Sequence, residues 1–181
     1  MLGRKERDMF HIIDIDNTLI YTDVLNTKGY LHGLASKGLA PLETVQRITR
    51  DSIRAWYPEL SETEMGEIVA AKQQYVHDHV QVSRLNDSIA EVLATHGVSQ
   101  CALWTAAHPK RIQALLDFHG VTGYKHIRYS NKSAEDVKQA IPYFCQVFSC
   151  QPCELCFYED NHDVIRELQR HHVTVKEVLM C

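Results

Sequence analysis

An apolar run that ends abruptly in two carboxylates is the feature that most constrains the fold of this chain. Residues 10–13 read Phe-His-Ile-Ile and fit a buried strand, and Asp14 and Asp16 follow directly. In an extended chain, residues two apart lie on the same face. Paired acids at the end of a buried strand are costly unless a cation or a hydrogen-bond network meets them. The stretch therefore predicts a cation site at a strand end or, alternatively, a turn with solvated aspartates.

Length and composition are those of an ordinary globular protein. The chain has 181 residues, 45% of them hydrophobic and 23% charged, which suits one domain with or without a small insertion. The formal net charge of −4 gives no reason to expect a nucleic-acid or membrane partner. No apolar run approaches the roughly 18 residues of a membrane span. The charged residues 1–8 do not form a signal peptide, so the expected location is the cytoplasm.

A helical pattern follows the first strand. Residues of about 23–40 read as a glycine-containing connection, and Pro41 opens a predicted helix that Pro58 ends. Ser61–Glu64 is a capping box that opens a second helix. Because residues 23–82 carry no strand signal and follow the first strand at once, they are predicted to form a small α-helical insertion or cap.

From Leu85 onward, strand patterns alternate with helix patterns. Pro142 is expected to break or kink the helix capped by residues 133–136. The alternation predicts an α/β fold with a Rossmann-like parallel sheet flanked by helices. The predicted core domain comprises residues 1–22 and 83–181. The strands predicted after Leu85 are residues 101–104, 126–129, 155–158 and 173–180.

Polar residues stand at the ends of these predicted strands, where open α/β sheets bind ligands. Thr105 ends the strand of residues 101–104, and Glu159 and Asp160 end that of residues 155–158. Lys132 stands just before a helix start, with Lys138 inside that helix as a rival. Taken singly, these are an ordinary strand-end threonine, a solvated lysine and a helix-capping acidic pair. Their occurrence together, each at an element boundary, points to a single polar site.

The set, in this order, resembles motifs I to IV of the haloacid dehalogenase-like (HAD) phosphohydrolases. Motif I is matched by Asp14-x-Asp16-x-Thr18-Leu19, and the other three by Thr105, Lys132 and the Glu159-Asp160 pair. The resemblance covers the predicted core, whereas residues 23–82 match the position of a C1-type helical cap. Ser133 departs from the proline that many relatives have after the lysine. Glu159-Asp160 replaces the common Gly-Asp, as in the branch that contains β-phosphoglucomutase and related sugar phosphatases.

The resemblance implies a Mg²⁺-dependent phosphatase that hydrolyses a small-molecule phosphate monoester through an aspartyl-phosphate. It implies that Asp14 is the nucleophile and Asp16 the general acid and base. Thr105 and Lys132 would bind the phosphoryl oxygens. Clustered carboxylates need a divalent cation, and Mg²⁺ prefers oxygen ligands. The implied metal ligands are Asp14, Asp16 (through its backbone carbonyl), Glu159 and Asp160.

Two other functions stay open at this point. One is a phosphomutase or phosphotransferase of the β-phosphoglucomutase type, in which a second hydroxyl takes the phosphoryl group. The other is a HAD-like binding or regulatory protein with negligible turnover, although such a protein has little physical reason to keep four like charges together. The expected partner is a small phosphorylated substrate, and the sequence predicts neither its identity nor an oligomeric state. Candidate substrate contacts in the insertion are Lys37, Arg47, Arg50, Arg54, Trp56 and Tyr57.

A group of cysteines invites a metal interpretation. Cys150, Cys153 and Cys156 have a C-x-x-C-x-x-C spacing, with Cys145 upstream. An iron–sulfur or zinc site would need a fourth ligand and a surrounding loop, but Cys156 lies in a predicted buried strand. Reduced thiols are therefore the preferred interpretation. His162, beside the predicted site, has no metal partner that the sequence identifies.

Overall fold

The centre of the molecule, in a computed structural model that describes residues 9–45 and 47–179, is a five-stranded parallel sheet. The α/β fold predicted from the sequence is confirmed. The last strand was predicted to reach Met180, which lies outside the described residues; within them it ends at Glu177. In spatial order the strands are β5 (Ile127–Tyr129), β4 (Cys101–Thr105), β1 (Phe10–Asp14), β6 (Leu155–Glu159) and β7 (Thr174–Glu177).

The strand β1 lies in the middle of the sheet, and its register sets the site. Asp14 pairs with Trp104 of β4, and Ile13 pairs with Tyr158 of β6. The next residues along β4 and β6 are Thr105 and Glu159. Since all three strands are parallel and end at nearly the same level, their polar last residues meet at one edge.

A helical segment lies between two short strands. The strands β2 (Ile20–Tyr21) and β3 (Arg84–Leu85) pair antiparallel as a two-stranded ribbon. Between them come three helices, α1 (Asp23–Ala35), α2 (Arg50–Trp56) and α3 (Glu62–Asp78). The predicted capping box of Ser61 and Glu64 starts α3. The segment has an apolar cluster of its own, formed by Leu34, Ile48, Ile53, Met65 and Ile68.

Two predictions for this segment were wrong. The supposed connection of residues 23–40 is largely the helix α1, in which Gly29 and Gly33 are buried. These glycines let α1 approach α3 closely: a Cβ on Gly33 would lie 2.5 Å from the carbonyl oxygen of Ile68. The helix predicted to begin at Pro41 begins at Arg50 instead, because Thr49 supplies the cap.

Four more helices cover the two faces of the sheet. They are α4 (Asp87–His96), α5 (Pro109–Phe118), α6 (Ala134–Phe148) and α7 (His162–Gln169). On one face, Ile13 and Leu103 belong to an apolar cluster with residues of α4 and α5. Leu25 of α1 and Val76 of α3 are part of the same cluster. On the other face, Trp104 packs with residues of α6 and α7. Successive residues of each strand thus serve opposite halves of the core.

The helix α6 contains Pro142 and continues to Phe148 without a break. Of the two predicted effects, a break or a kink, the break at Pro142 was therefore wrong. Pro142 is exposed, so the carbonyl group of Lys138, which loses its helical partner, lies on the face open to water. Among the described helices, none is long and apolar enough to cross a membrane.

Candidate active site

Three carboxylates meet where β1 and β6 end. Asp14 is the last residue of β1, Glu159 the last of β6, and Asp160 follows it. One carboxylate oxygen from each lies within 4.8 Å of the others. Within residues 9–45 and 47–179, no other three His, Cys, Asp or Glu side chains converge in this way. This is a set of oxygen ligands suited to a hard divalent cation.

Lys132 lies against these carboxylates. Its Nζ donates to Asp14 Oδ1 and, over 2.7 Å, to Glu159 Oε2, and its side chain is only 7% exposed. The rival Lys138 lies on the exposed surface of α6, with its Nζ 4.0 Å from Glu135. Of the two lysines that the sequence left open, Lys132 is the one at the acidic cluster.

The charge of the cluster is only partly balanced. Burial raises the pKa of Asp14 well above its usual value, and the neighbouring Glu159 adds to this while Lys132 opposes it. Burial and Glu159 likewise raise the pKa of Asp160 to about 6. Burial alone would lower the pKa of Lys132, but Asp14 and Glu159 together raise it. One ammonium group is thus surrounded by more negative charge than it offsets, which favours an additional cation here.

Asp16 has different partners. Its Oδ1 accepts hydrogen bonds from Arg111 of α5 and, at 2.5 Å, from the Thr22 hydroxyl. Burial alone would raise the pKa of Asp16, but the Arg111 guanidinium and the Thr22 hydroxyl lower it below its ordinary value. Its side chain does not belong to the acidic cluster of Asp14. The two aspartates of motif I therefore sit in contrasting environments.

The turn after β1 is held by its own polar side chains. Asn17 has a left-handed φ of 62° and uses its side chain twice, accepting from the backbone N–H of Thr22 and donating to Asp23. The Thr18 hydroxyl donates to Asp160 Oδ1 over 3.4 Å. Asn17 and Thr18 thus fix the loop that carries Asp16.

The loop that carries Lys132 is anchored by Asp136. Lys132 has a left-handed φ of 54°, and its backbone N–H donates to Asp136 Oδ2 over 3.2 Å. The same carboxylate accepts from the Ser130 hydroxyl and, over 2.5 Å, from Arg128. Trp104 of β4 also donates its indole N–H to Ser130, over 2.7 Å. Sequence reasoning recognised Asp136 only as part of a helix start, because nothing local reveals that it holds the backbone of Lys132.

A cavity of about 1070 Å³ lies at this edge of the sheet. It is also lined by Thr105, whose buried hydroxyl accepts from the backbone N–H of Ala107 over 3.1 Å. Residues of the helical segment form another part of its wall. The structure brings all six residues of the predicted site to this one cavity: Asp14, Asp16, Thr105, Lys132, Glu159 and Asp160.

The candidate contacts of the helical segment divide into two groups. Arg47 and Arg50 line the cavity. Lys37 and Arg54 instead pair with glutamates at the protein surface. Trp56 and Tyr57 pack against the apolar cluster of this segment and do not line the cavity.

Two cavity residues, Lys72 of α3 and Arg111, were not anticipated from the sequence. A single charged residue in a helix is usually solvated, so no sequence signal marked either of them.

The cysteines form no metal cluster among the described residues. Five of them are described, and none of these five is joined in a disulfide within the described part of the chain. Cys156 is buried within β6, where the sequence predicted a strand, whereas Cys153 is exposed. Cys181 lies outside the described residues. His162 is an exposed residue whose Nδ1 lies 3.3 Å from Glu177.

Comparison with known proteins identifies the fold. No protein-family model matches the sequence, and no curated protein matches it either. Solved structures do match. A predicted phosphoglycolate phosphatase from Haemophilus somnus superposes with a TM-score of 0.73 at 16% identity, over 93% of this chain and 84% of its own.

Two further structures agree with this match. A haloacid dehalogenase-like hydrolase from Streptococcus pneumoniae gives a TM-score of 0.67 at 15% identity, over 93% of this chain and 83% of its own. A HAD-superfamily hydrolase of subfamily IA from Geobacter sulfurreducens gives a TM-score of 0.65 at 15% identity, over 93% of this chain and 86% of its own. At such identities the similarity establishes the fold alone, an α/β fold that this chain shares with these HAD-like hydrolases.

Proposed function

We propose, on the premise that this chain has the HAD-superfamily fold, that it is a Mg²⁺-dependent phosphatase acting on a small phosphate monoester. The observation that carries the proposal is the convergence of Asp14, Glu159 and Asp160 with Lys132 at one cavity. A phosphoryl group placed there would meet the Asp14 carboxylate as nucleophile, the Lys132 ammonium group and the Thr105 hydroxyl within one site. The alternative of solvated strand-end aspartates does not fit a carboxylate as buried as that of Asp14.

In the proposed reaction, a carboxylate oxygen of Asp14 attacks phosphorus and the bond to the leaving oxygen breaks. Asp16, in its protonated form, donates a proton to that oxygen; although burial alone would raise its pKa, Arg111 and the Thr22 hydroxyl lower it, so this form is the minor one before substrate binds. Water then attacks the phosphorus of the aspartyl-phosphate, Asp16 accepts the proton, and the bond to Asp14 breaks, which releases orthophosphate. Lys132 and the Thr105 hydroxyl would stabilise the phosphoryl oxygens as negative charge shifts during transfer.

The acidic cluster fits Mg²⁺. Asp14, Glu159 and Asp160 supply the side-chain oxygens, and the backbone carbonyl of Asp16 is the fourth proposed ligand. The ion would offset the charge of the carboxylates and of the phosphoryl group. The raised pKa values of Asp14 and Asp160, caused first by burial and further by Glu159, support this assignment, because a bound divalent cation would favour the ionised carboxylates.

We propose further that residues 23–82 act as a cap that selects the substrate. Residues of this segment line the cavity, so a substrate bound at Asp14 would touch them. Such a cover also excludes water from the reacting phosphoryl group, which strengthens electrostatic interactions there.

Removal of the metal is expected to stop the reaction. A panel of phosphomonoesters, including p-nitrophenyl phosphate and sugar phosphates, would be assayed for free phosphate with excess Mg²⁺ and after treatment with EDTA. We expect turnover to fall by about two orders of magnitude or more with EDTA and to return when Mg²⁺ is restored. Equal turnover in both conditions would contradict the metal assignment. Rearranged sugar phosphate without free phosphate would indicate a mutase, and no turnover on any compound would favour a binding protein.

Asp136 is expected to act as a positioning residue for Lys132. We expect Asp136→Ala to lower kcat about 10–100-fold, because the left-handed backbone of Lys132 loses its anchor. Glu135→Ala is the matched control, since the neighbouring Glu135 is exposed and lies outside the cavity. The conservative Asp136→Asn variant keeps an acceptor and should recover part of the loss. Wild-type kcat in Asp136→Ala would refute this role.

A further inference from the structure

Cationic side chains line part of the cavity beyond the acidic cluster. They are Arg47 and Arg50, Lys72 of α3, and Arg111 of α5. Arg111, Arg47 and Arg50 act electrostatically on Lys72, so the four charges lie near one another. Like charges gathered at a cavity wall repel unless anions separate them.

Lys72 is the most unusual member of this group. It is buried, with 5% of its surface exposed, and it makes no hydrogen bond or ion pair with any residue that the structure describes. Its Nζ lies 5.3 Å from the centre of the Tyr30 ring, a cation–π contact that offsets only part of the cost of burial. Burial, followed by the charge of Arg111, lowers the pKa of Lys72 to about 7, although the Asp16 carboxylate opposes this shift. An ammonium group so placed is destabilising unless a ligand compensates for it.

The neighbouring arginines are also incompletely paired within the described chain. Arg111 donates to Asp16 through Nη2, but its buried Nε has no partner. Arg50 makes no ion pair with a described residue, and Arg47 has one, at 3.2 Å, with Asp23. Asp16 and Asp23 therefore offset only part of the positive charge on this part of the wall.

We propose that Lys72, Arg50 and Arg111 form an anion subsite that binds a second anionic group of the substrate, a carboxylate or a second phosphate. The inference deepens the proposed phosphatase function and rests on it. The reacting phosphoryl group is assigned to Asp14, Thr105 and Lys132, so the subsite requires a separate anion. A substrate with a neutral second end leaves Lys72 buried and unpaired, and the enzyme discriminates against it.

The test compares substrates that differ only in the charge of the far end. The ω-carboxyalkyl phosphates and α,ω-alkane bisphosphates of two to six carbons are assayed against ω-hydroxyalkyl phosphates of equal length, with Mg²⁺ present. At the best chain length we expect kcat/KM to be about tenfold or more higher for an anionic compound. The carboxylate and bisphosphate series show which anion the subsite takes. Equal kcat/KM for charged and neutral compounds at every length would overturn the proposal.

Lys72→Met separates a binding role from a structural one. Methionine has a similar volume without the charge, so the variant is expected to melt at a higher temperature and yet lose most of the preference for anionic substrates. Lys37→Met is its matched control, because Lys37 pairs with Glu67 outside the cavity. Arg50→Met and Arg54→Met form a second matched pair in α2, and only the former should reduce the preference. A full preference retained in both Lys72→Met and Arg50→Met would overturn the proposal.

Binding can be measured without turnover. Dissociation constants are compared for ω-carboxyalkyl, α,ω-bis- and ω-hydroxyalkyl phosphonates, which resist hydrolysis. We expect at least one anionic series to bind about tenfold more tightly than the neutral one, and this difference to disappear in Lys72→Met. If no phosphate ester is hydrolysed but this difference persists, the phosphatase function fails while the subsite stands. Equal binding of all three series would refute the subsite itself.

Discussion

Replacing Asp14 with asparagine is expected to lower phosphatase turnover at least about a thousandfold. The amide has nearly the same shape but cannot act as the attacking nucleophile, so the aspartyl-phosphate cannot form. The fold should persist, because Lys132 keeps its partner Glu159. The pKa of Asp14 is raised, so its ionised form is disfavoured by folding, and the neutral amide should melt at an equal or higher temperature.

The control for this variant is Asp78→Asn. Asp78 is an exposed acid at the end of α3 that accepts hydrogen bonds from Gln74 and does not line the cavity, so its loss should leave turnover nearly unchanged. Acid quenching of the wild type during turnover, followed by mass spectrometry, should detect a phosphorylated chain that is absent from Asp14→Asn. Wild-type turnover in Asp14→Asn would exclude Asp14 as the nucleophile.

Gly33→Ala is expected to lower the free energy of unfolding by about 1–3 kcal/mol. The new methyl group would lie 2.5 Å from the carbonyl oxygen of Ile68, and backbone cannot rotate away as a side chain can. The helices α1 and α3 must then move apart. The cost of this movement is expected to exceed the roughly 1 kcal/mol that alanine gains over glycine in helix propensity. Chemical denaturation of both proteins measures the difference.

Gly66→Ala provides the matched comparison within α3. Nothing lies within 4 Å of a Cβ added there, so the same substitution should raise the free energy of unfolding by about 0.5–1 kcal/mol. The two alanine substitutions are thus predicted to change the free energy of unfolding in opposite directions. A Gly33→Ala protein as stable as Gly66→Ala would mean that α1 and α3 are not in tight contact at this position.

The sheet and the residues at its edge were predictable because both depend on local sequence. Buried parallel strands are short apolar runs, and the end of each run fixes where the next polar residue lies. Thr105 and Glu159 could therefore be placed at the same edge as Asp14 before any pairing was known. The strand register, which the sequence does not show, determines how closely these residues lie. It pairs Asp14 with Trp104 and so places Thr105 one residue beyond that pair.

Other parts of the molecule depend on contacts between distant segments, and the sequence does not reveal these. The helix α1 has little apolar contrast and contains Gly29 and Gly33, which locally favour a loop but here meet α3. Lys72 and Arg111 look like solvated helix residues until the helical segment packs over the sheet edge. Asp136 looks like a helix-start acid until the backbone of Lys132 turns toward it.

The ribbon of β2 and β3 has a consequence for how such molecules diversify. Because Tyr21 pairs with Arg84, the chain leaves and re-enters the core at neighbouring points, about 5 Å apart. Residues 23–82, which we propose as a cap, are thus joined to the sheet domain through a two-stranded stem. Under the proposed function, exchanging this segment would change substrate selectivity while the residues at the sheet edge stay the same. The main demand on any replacement is that it supply apolar side chains where Leu25 and Val76 now seal the core.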